Sequence, residues 1–203
     1  MSGSGCQGWL VSVTLHAMKT HARGFTLIEL MLVVGIIAVM ASLAAPSFRT
    51  MLVKRTVQAG ALALVEDMRF ARSEALRRAT TVTICNLAVN STSACIAGGT
   101  TPNWANGWLV FVDNSGSANS TVDTGEEILR VQQPLAGILT IQDFVTATST
   151  KASFTYQANG WARSASEPIA LTPTGTVPKN STRLLCVSLQ GRPSLRLEGA
   201  VGC

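Results

Sequence analysis

A run of apolar residues from Phe25 to Ala45 dominates the N-terminal part of the chain, and Glu29 is the only charged residue within it. As a helix, this run spans roughly 31 Å at about 1.5 Å per residue, close to the thickness of a bilayer core. The basic residues Lys19 and Arg23 precede it, so the positive-inside rule keeps the N-terminus in the cytoplasm and sends the C-terminal body across. The pattern predicts a membrane-spanning helix.

A second helical pattern follows Pro46, a residue that bends or breaks a helix because it removes one backbone hydrogen bond. Apolar residues then recur at alternating steps of four and three, which indicates an amphipathic helix. The stripe consists of Val57, Ala61, Leu64, Met68, Ala71 and Ala75, and the residues outside it include Arg55, Glu66, Arg69, Ser73 and Arg77. Glu74 and Arg78 form a favourable i,i+4 pair. We therefore expect one N-terminal helix from about Phe25 to Arg78, its second half packed on a globular body.

Beyond Ala79 the pattern changes to short alternating segments bounded by turn residues, which is typical of β-strands. The predicted strands cover residues 80–85, 107–113, 127–131, 152–156, 183–188 and 194–197. One long helix followed by many short strands predicts an α+β fold with an antiparallel sheet.

Composition and charge exclude several classes of protein. Apolar residues make up 47% of the chain and charged residues 13%, which is too apolar for a disordered protein. The net charge of +5 falls to about +3 when Lys19 and Arg23 are left out, and so mild an excess says little about nucleic acid. Both histidines, His16 and His21, precede Gly24, so the rest of the chain holds no histidine-based catalytic triad. We expect no enzyme, no cofactor and no metal site.

Four cysteines follow Gly24, namely Cys85, Cys95, Cys186 and Cys203. An even set of this kind fits an oxidising compartment. Proximity in the sequence favours the pairs Cys85–Cys95 and Cys186–Cys203. The alternative is four buried, unpaired thiols.

The stretch Gly24-Phe-Thr-Leu-Ile-Glu29-Leu resembles the class III signal of type IV pilins and type II secretion pseudopilins. The resemblance implies that a prepilin peptidase cuts after Gly24 on the cytoplasmic side and methylates Phe25. It also implies that Glu29, which is costly to place in apolar surroundings, pairs with the N-terminal amine of a neighbouring subunit during assembly. The alternative for Glu29 is an interfacial position near a membrane surface. The implied partners are the peptidase, other pilins or pseudopilins, and the inner-membrane assembly platform.

The resemblance divides the chain into a leader (1–24), a transmembrane and assembly helix (25–46), an amphipathic helix (47–79) and a periplasmic β-rich domain (80–203). Residues 1–17 do not resemble a pilin leader, which favours translation from Met18; a long leader is the alternative. We expect a single-pass protein of the bacterial inner membrane, with its C-terminal domain in the periplasm, that later enters a pilus or pseudopilus.

Three stretches of the body resemble the GspH/FimT subfamily of pilin-like proteins. They are Trp104-x-x-Gly107-Trp108-x-Val-Phe111-x-Asp113, Asp123-x-Gly125-Glu126-Glu127-Ile-Leu-Arg130, and Cys186-Val-Ser-x-x-Gly191-Arg192 with the terminal Cys203. The resemblance implies a pilin-like fold and a FimT-like minor pilin of a type IV pilus. The alternative is a GspH-type minor pseudopilin of the type II secretion system.

An arginine pattern near the C-terminus is a candidate DNA site. Some FimT-type minor pilins carry the motif G-R-x-R-x-R, which is linked to DNA binding in natural transformation. Gly191-Arg192-Pro-Ser-Leu-Arg196 resembles it, although Ser194 replaces the middle arginine. Residues two apart lie on one face of a strand, and Arg183 and Lys179 would add charge. The alternative is a partly exposed strand with solvated arginines.

Two other charged groups carry weaker hypotheses. The acidic loop of Asp113, Asn114, Asp123, Glu126 and Glu127 offers oxygen ligands for calcium. Its spacing does not match an EF-hand loop, and these residue types are common in turns, so we expect a turn. The arginines at positions 69, 72, 77 and 78 are expected to form a solvated face.

Overall fold

The chain is seen in a computed structural model that describes residues 24–96, 102–114, 121–143, 151–165, 168–175 and 178–197, without the side chains of residues 44–46 and 143. It divides into two compact units, one ending at Leu43 and one beginning at Ala44. The helix α1, Leu27–Arg78, contributes its first part to the first unit and its remainder to the second.

The first unit is a helix whose apolar side chains all face outward. From Phe25 to Leu43 the large apolar side chains are 44% to 82% exposed. A helix that is apolar on every side belongs in a membrane or another apolar environment. Among the described residues, no single helix is long and apolar enough to cross a membrane, but Leu27–Leu43 taken together with Ser47–Arg78 meets that test by length and composition.

The amphipathic stripe of α1 forms one wall of the core in the second unit. All six predicted stripe residues are fully buried, and the polar residues predicted outside the stripe are exposed. The sequence pattern therefore predicted this half of the helix correctly. α1 ends where Ala79 takes a left-handed conformation (φ 50°) and the Thr80 N–H donates to the carbonyl of Ala75 at 3.2 Å.

Within the described residues, eight strands form two antiparallel four-stranded sheets. They are β1 Val82–Asn86, β2 Trp108–Val112, β3 Ile128–Gln132, β4 Ile138–Asp143, β5 Ser153–Tyr156, β6 Ile169–Pro173, β7 Arg183–Val187 and β8 Pro193–Leu197. The first sheet has the order β3-β2-β1-β5 and the second the order β4-β6-β7-β8. A short 3₁₀ helix, Trp104–Asn106, leads into β2.

The predicted α+β fold with an antiparallel sheet body is confirmed, but two of these strands, β4 and β6, were not predicted. The pairing of β4 with β6 is irregular between Ile138 and Thr140, and β4 exposes Leu139, so its apolar pattern does not alternate cleanly. β6 ends in Pro173, and a proline argues against a strand because it cannot donate to the ladder. The other six strands lie within two residues of their predicted bounds.

The strands β1 and β2 of the first sheet are buried on both faces. Val82, Ile84, Trp108 and Val110 belong to the main core with α1 and the second sheet. The alternate residues Cys85, Leu87, Leu109 and Phe111 form a smaller cluster on the other face, against Cys95, Val122 and Ile128.

A disulfide between Cys85 and Cys95 closes the covering loop. This is the pair that sequence proximity favours, and closing so short a loop contributes about 3 kcal/mol in the loop-entropy description.

Ion pairs join the C-terminal end of α1 to the residue before β3. The carboxylate of Glu74 accepts hydrogen bonds from Arg77 (2.6 Å) and Arg78 (2.8 Å). Arg78 also donates to Glu127, at 2.5 Å. The expected solvated face is therefore wrong for Arg78, and for Arg72, whose Nε donates to the carbonyl of Gly160 at 2.9 Å.

These ion pairs predict how acid acts on the body. Hydrogen bonds from Arg77, and next from Arg78, lower the pKa of Glu74 from 4.5 to about 2. A carboxylate with a depressed pKa in the folded state stabilises the fold above its unfolded pKa and loses that effect as the pH falls towards its folded pKa. We expect Glu74→Gln to have a lower melting temperature than wild type at pH 6, and the difference to shrink between about pH 4.5 and 2.

Glu66→Gln is the matched control, because Glu66 lies on the exposed side of the same helix. Its melting temperature should follow that of wild type at every pH. Arg78 also lowers the pKa of Glu127, so the Glu74→Gln variant keeps part of the pH dependence. A difference between Glu74→Gln and wild type that stays constant down to pH 2 would contradict the assignment.

Candidate functional site

The three residues predicted for processing and assembly, Gly24, Phe25 and Glu29, are exposed. Gly24 and Phe25 precede the first helical residue, Leu27, and both are exposed. A side chain at Gly24 would meet nothing within 4 Å among the described residues. Glu29 lies in the first turn of α1, where the helix dipole favours a negative charge, and its backbone N–H is capped by the hydroxyl of Thr26 at 3.2 Å.

A nearly buried carboxylate fastens α1 to the first sheet. Asp67 is 8% exposed and accepts from the indole Nε1–H of Trp108 at 2.8 Å. Its second oxygen accepts from the Arg130 guanidinium, also at 2.8 Å. That guanidinium lies 3.8 Å from the centre of the Phe70 ring, a cation–π contact. The helix is thus joined to β2 and β3 by one acid.

The segment around the 3₁₀ helix connects the two sheets. The side-chain oxygen of Asn103 accepts from the backbone N–H of Ala105 and of Ile141, the latter in β4. Gly107 has φ 100°, and a side chain there would come within 2.3 Å of the Gln132 carbonyl. Only glycine fits this close approach of β2 and β3.

Asp113 and Glu126 of the acidic loop accept hydrogen bonds from other residues of the protein. Asp113 is 3% exposed and accepts from the hydroxyl of Thr83 at 2.9 Å. The two oxygens of Glu126 accept from the backbone N–H of Asn114 and of Asp123, both at 2.9 Å. Across the residues that the structure describes, no three acidic, cysteine or histidine side chains group as a metal site would require. These hydrogen bonds are typical of turns, and residues 115–120 of the loop lie outside the described residues.

The predicted arginine site is brought together only in part. Arg192, directly before β8, and Ser194 and Arg196 within it are exposed, while Pro193 is buried. The alternation indicates that the three side chains lie on one side of this segment. Arg183 pairs with Leu197 across β7 and β8, and cross-strand partners point to the same side of a sheet. Arg183 therefore lies on the opposite face from Arg196.

The inclusion of Arg183 in that site is thus wrong. Its Nε donates to the side chain of Gln58 at 2.8 Å, and its Nη1 donates to the carbonyls of Asn180 and Thr182. The expected pair Cys186–Cys203 is described only on one side: Cys186 is disulfide-bonded, and Cys203 lies outside the described residues.

Two protein-family models match the sequence of this chain. The model for type II transport protein GspH matches residues 60–191, and the model for the prokaryotic N-terminal methylation motif matches residues 19–45. The first of these covers well over half of the chain. The chain belongs to the GspH family. Among curated proteins no match was found.

The fold is that of a pilin. A crystal structure of the Pseudomonas aeruginosa type IV minor pilin FimU (strain PAO1) aligns with a TM-score of 0.50 and 22% identity, over 71% of this chain and 93% of FimU. A second crystal form of FimU aligns with a TM-score of 0.47 and 21% identity, over 70% and 98% of the two chains. As a GspH-family protein with a methylation motif, the chain is a pilin-like structural subunit. The motif implies processing by a prepilin peptidase, a membrane-anchoring helix and assembly with other pilins.

Sequence reasoning missed the partner of the signature residues in this GspH-family body. Trp108 and Arg130 both carried the family resemblance, but their shared acceptor, Asp67, was not singled out. A signal existed, because Asp67 follows Leu64 by three positions and so lies beside the apolar stripe of the helix. Nothing in one sequence, however, pairs it with residues 41 and 63 positions away.

We expect removal of the Asp67 carboxylate to lower the stability of the fold by a measurable amount. Asp67→Ala leaves the buried indole N–H of Trp108 without an acceptor and should lower the free energy of unfolding by about 2–3 kcal/mol. Asp67→Asn keeps an acceptor but removes the charge, so it should fall between Asp67→Ala and wild type. Urea unfolding followed by circular dichroism, with disulfides intact, measures both.

The control is Glu66→Ala, one residue away and exposed, which should change stability by less than about 0.5 kcal/mol. If Asp67→Ala unfolds at the same urea concentration as Glu66→Ala, the carboxylate does not hold helix and sheet together.

Proposed function

We propose that this GspH-family protein is a FimT-like minor pilin of a type IV pilus, cut after Gly24, methylated on Phe25 and inserted into the fibre or its tip. The observation that carries the proposal is the first unit, a helix with exposed apolar side chains and one carboxylate, Glu29, in its first turn. The methylation-motif match over residues 19–45 supports it. Its role is structural rather than enzymatic.

Glu29 is proposed to set the position of the subunit in the fibre. A carboxylate surrounded by lipid or by apolar helices costs several kcal/mol unless it is paired. The described chain has no basic residue between Phe25 and Phe48, so the pairing cation comes from outside this stretch. The amine of Phe25 in a neighbouring subunit would neutralise both charges, and it can do so at only one axial offset between the helices.

The type II secretion system remains the second setting. The matching family model is described as a type II transport protein, which favours a GspH-type pseudopilin. Both settings use the same peptidase chemistry and the same apolar helix. Co-purification with pilus assembly proteins would favour the first setting, and co-purification with secretion proteins the second.

Processing can be tested directly in membranes that contain an active prepilin peptidase. We expect mass spectrometry to find a chain that begins at N-methylated Phe25. Gly24→Val should abolish the cut, because a branched side chain would lie at the scissile bond. Gly35→Ala is the control: the site is equally open, and cleavage should be normal. A wild-type chain that keeps its leader would contradict the proposal.

Glu29→Leu separates processing from assembly. This variant should be cut and methylated like wild type but be absent from sheared fibres, since the charge that pairs with the neighbouring amine is gone. Equal amounts of Glu29→Leu and wild type in the fibres would remove the assembly role.

DNA binding is a second candidate function of the body. The observation that favours it is the exposure of Arg192, just before β8, and of Ser194 and Arg196 within β8. β8 is an edge strand of the second sheet within the described residues. Four residues of strand separate the two arginines by about 13 Å, so they could contact different phosphates of one backbone. Contacts of this kind are independent of base sequence and weaken with salt.

A mobility-shift assay at low salt tests this function. Replacing Arg192 and Arg196 by alanine should weaken the shift, and it should reduce the slope of log affinity against log salt by about 2. Arg69→Ala, an exposed arginine on α1, and Arg183→Ala, on the other face of the sheet, should leave the shift close to wild type. No shift by wild type, or an unchanged shift in the double variant, would end the hypothesis.

A further inference from the structure

A groove beside the first turns of the amphipathic helix is lined by both apolar and basic residues. It is shallow and open to solvent, with a volume of about 670 Å³. Met51, Ala59 and Leu62 give it an apolar floor, while Lys54, Arg55 and Arg183 bring three cations to its lining. All of these residues belong to the second unit.

No acidic residue is among the described residues that line this groove. From Leu30 to Val65 the chain contains no aspartate or glutamate, whereas Arg49, Lys54 and Arg55 fall within that stretch. The ion pairs in the described part of the chain use Asp67, Glu74 and Glu127, none of which lines the groove. The groove therefore attracts an anion.

One of its cations is held in place by the fold. Arg183 reaches the groove from β7, where the side chain of Gln58 and the carbonyls of Asn180 and Thr182 accept its hydrogen bonds. A guanidinium fixed in this way loses less side-chain entropy on binding an anion. The interaction that removes Arg183 from the β8 face thus places it in this groove.

The groove also follows closely on the apolar run. Lys54 comes nine residues after Ala45, the end of the run, which is about 14 Å along a helix. Phe48, Met51 and Leu52 in between are 45% to 61% exposed. Apolar side chains and cations interleaved just beyond a membrane anchor are suited to the headgroup region of a bilayer.

We propose that this groove binds an anionic phospholipid, with the phosphate between Lys54, Arg55 and Arg183 and the start of an acyl chain along Met51 and Leu62. The proposal rests on the membrane anchoring stated above. It adds a lipid-selective contact that holds the subunit at the membrane surface and must be released when the subunit leaves the membrane for the fibre.

The test uses the full mature chain purified in detergent. Phosphatidylglycerol and phosphatidylcholine are titrated in parallel, and native mass spectrometry measures the fraction of protein that retains each lipid. We expect phosphatidylglycerol to be retained in preference. Each cation near an anionic lipid strengthens binding roughly fivefold, so Lys54→Gln with Arg55→Gln should weaken retention of phosphatidylglycerol roughly 25-fold.

A matched control removes the same charge elsewhere. Arg69 and Lys179 are exposed and do not line the groove, so Arg69→Gln with Lys179→Gln should retain phosphatidylglycerol like wild type. Circular dichroism of both double variants verifies that the fold is kept. Millimolar inorganic phosphate should not displace the lipid, because the apolar floor contributes to binding.

Three results would overturn the inference: equal retention of the two lipids, equal loss in the two double variants, or displacement of the lipid by inorganic phosphate alone. Membrane fractionation of the same variants keeps the outcome separate from the proposed function. A protein that is anchored and cleaved normally but shows no preference for phosphatidylglycerol loses the lipid site and keeps its place as a pilin.

Discussion

The carboxylate of Asp67 is the interaction on which the body depends most. It lies almost buried between α1 and the first sheet and accepts one hydrogen bond from Trp108 and one from Arg130. An apolar stripe alone tolerates small rotations and shifts, because hydrophobic burial is not directional. A buried acid with two defined donors tolerates neither, since a displaced carboxylate would be desolvated and unpaired. Burial of the apolar stripe packs the helix against the sheet, and the two hydrogen bonds of Asp67 fix the position of the helix on that sheet.

The residues of the body that carry the family resemblance therefore join its helix and strands to one another. Trp108 and Arg130 reach the helix through Asp67, and Gly107 allows β2 and β3 to approach. Glu127 receives Arg78 from the end of α1, and Glu126 closes the turn before β3. All of these contacts join one element of the body to another.

The cations of the body are divided by the two faces of the second sheet. Arg192, just before β8, and Arg196 within it lie on the outer face, whereas Arg183 on β7 turns towards α1 and is held by Gln58. Among the described residues these arginines therefore belong to two separate basic surfaces. The first is the surface proposed above to contact DNA. The second, with its apolar floor and its position after the apolar run, is suited to a lipid headgroup.

What the sequence alone determined is whatever depends on neighbours along the chain. The apolar run with Glu29, the buried stripe of α1, six of the eight strands and the Cys85–Cys95 pair all follow from local spacing, because helix and strand periods and short loops are local properties. About the candidate site, local spacing also predicted that Arg192 and Arg196 share an exposed face.

The tertiary structure decided the rest. It split the strands into two sheets, added β4 and β6, gave Asp67 its two distant donors and sent Arg183 to the opposite face. Each of these depends on contacts between residues far apart in the chain, and the pattern of one sequence carries no record of which distant residues meet.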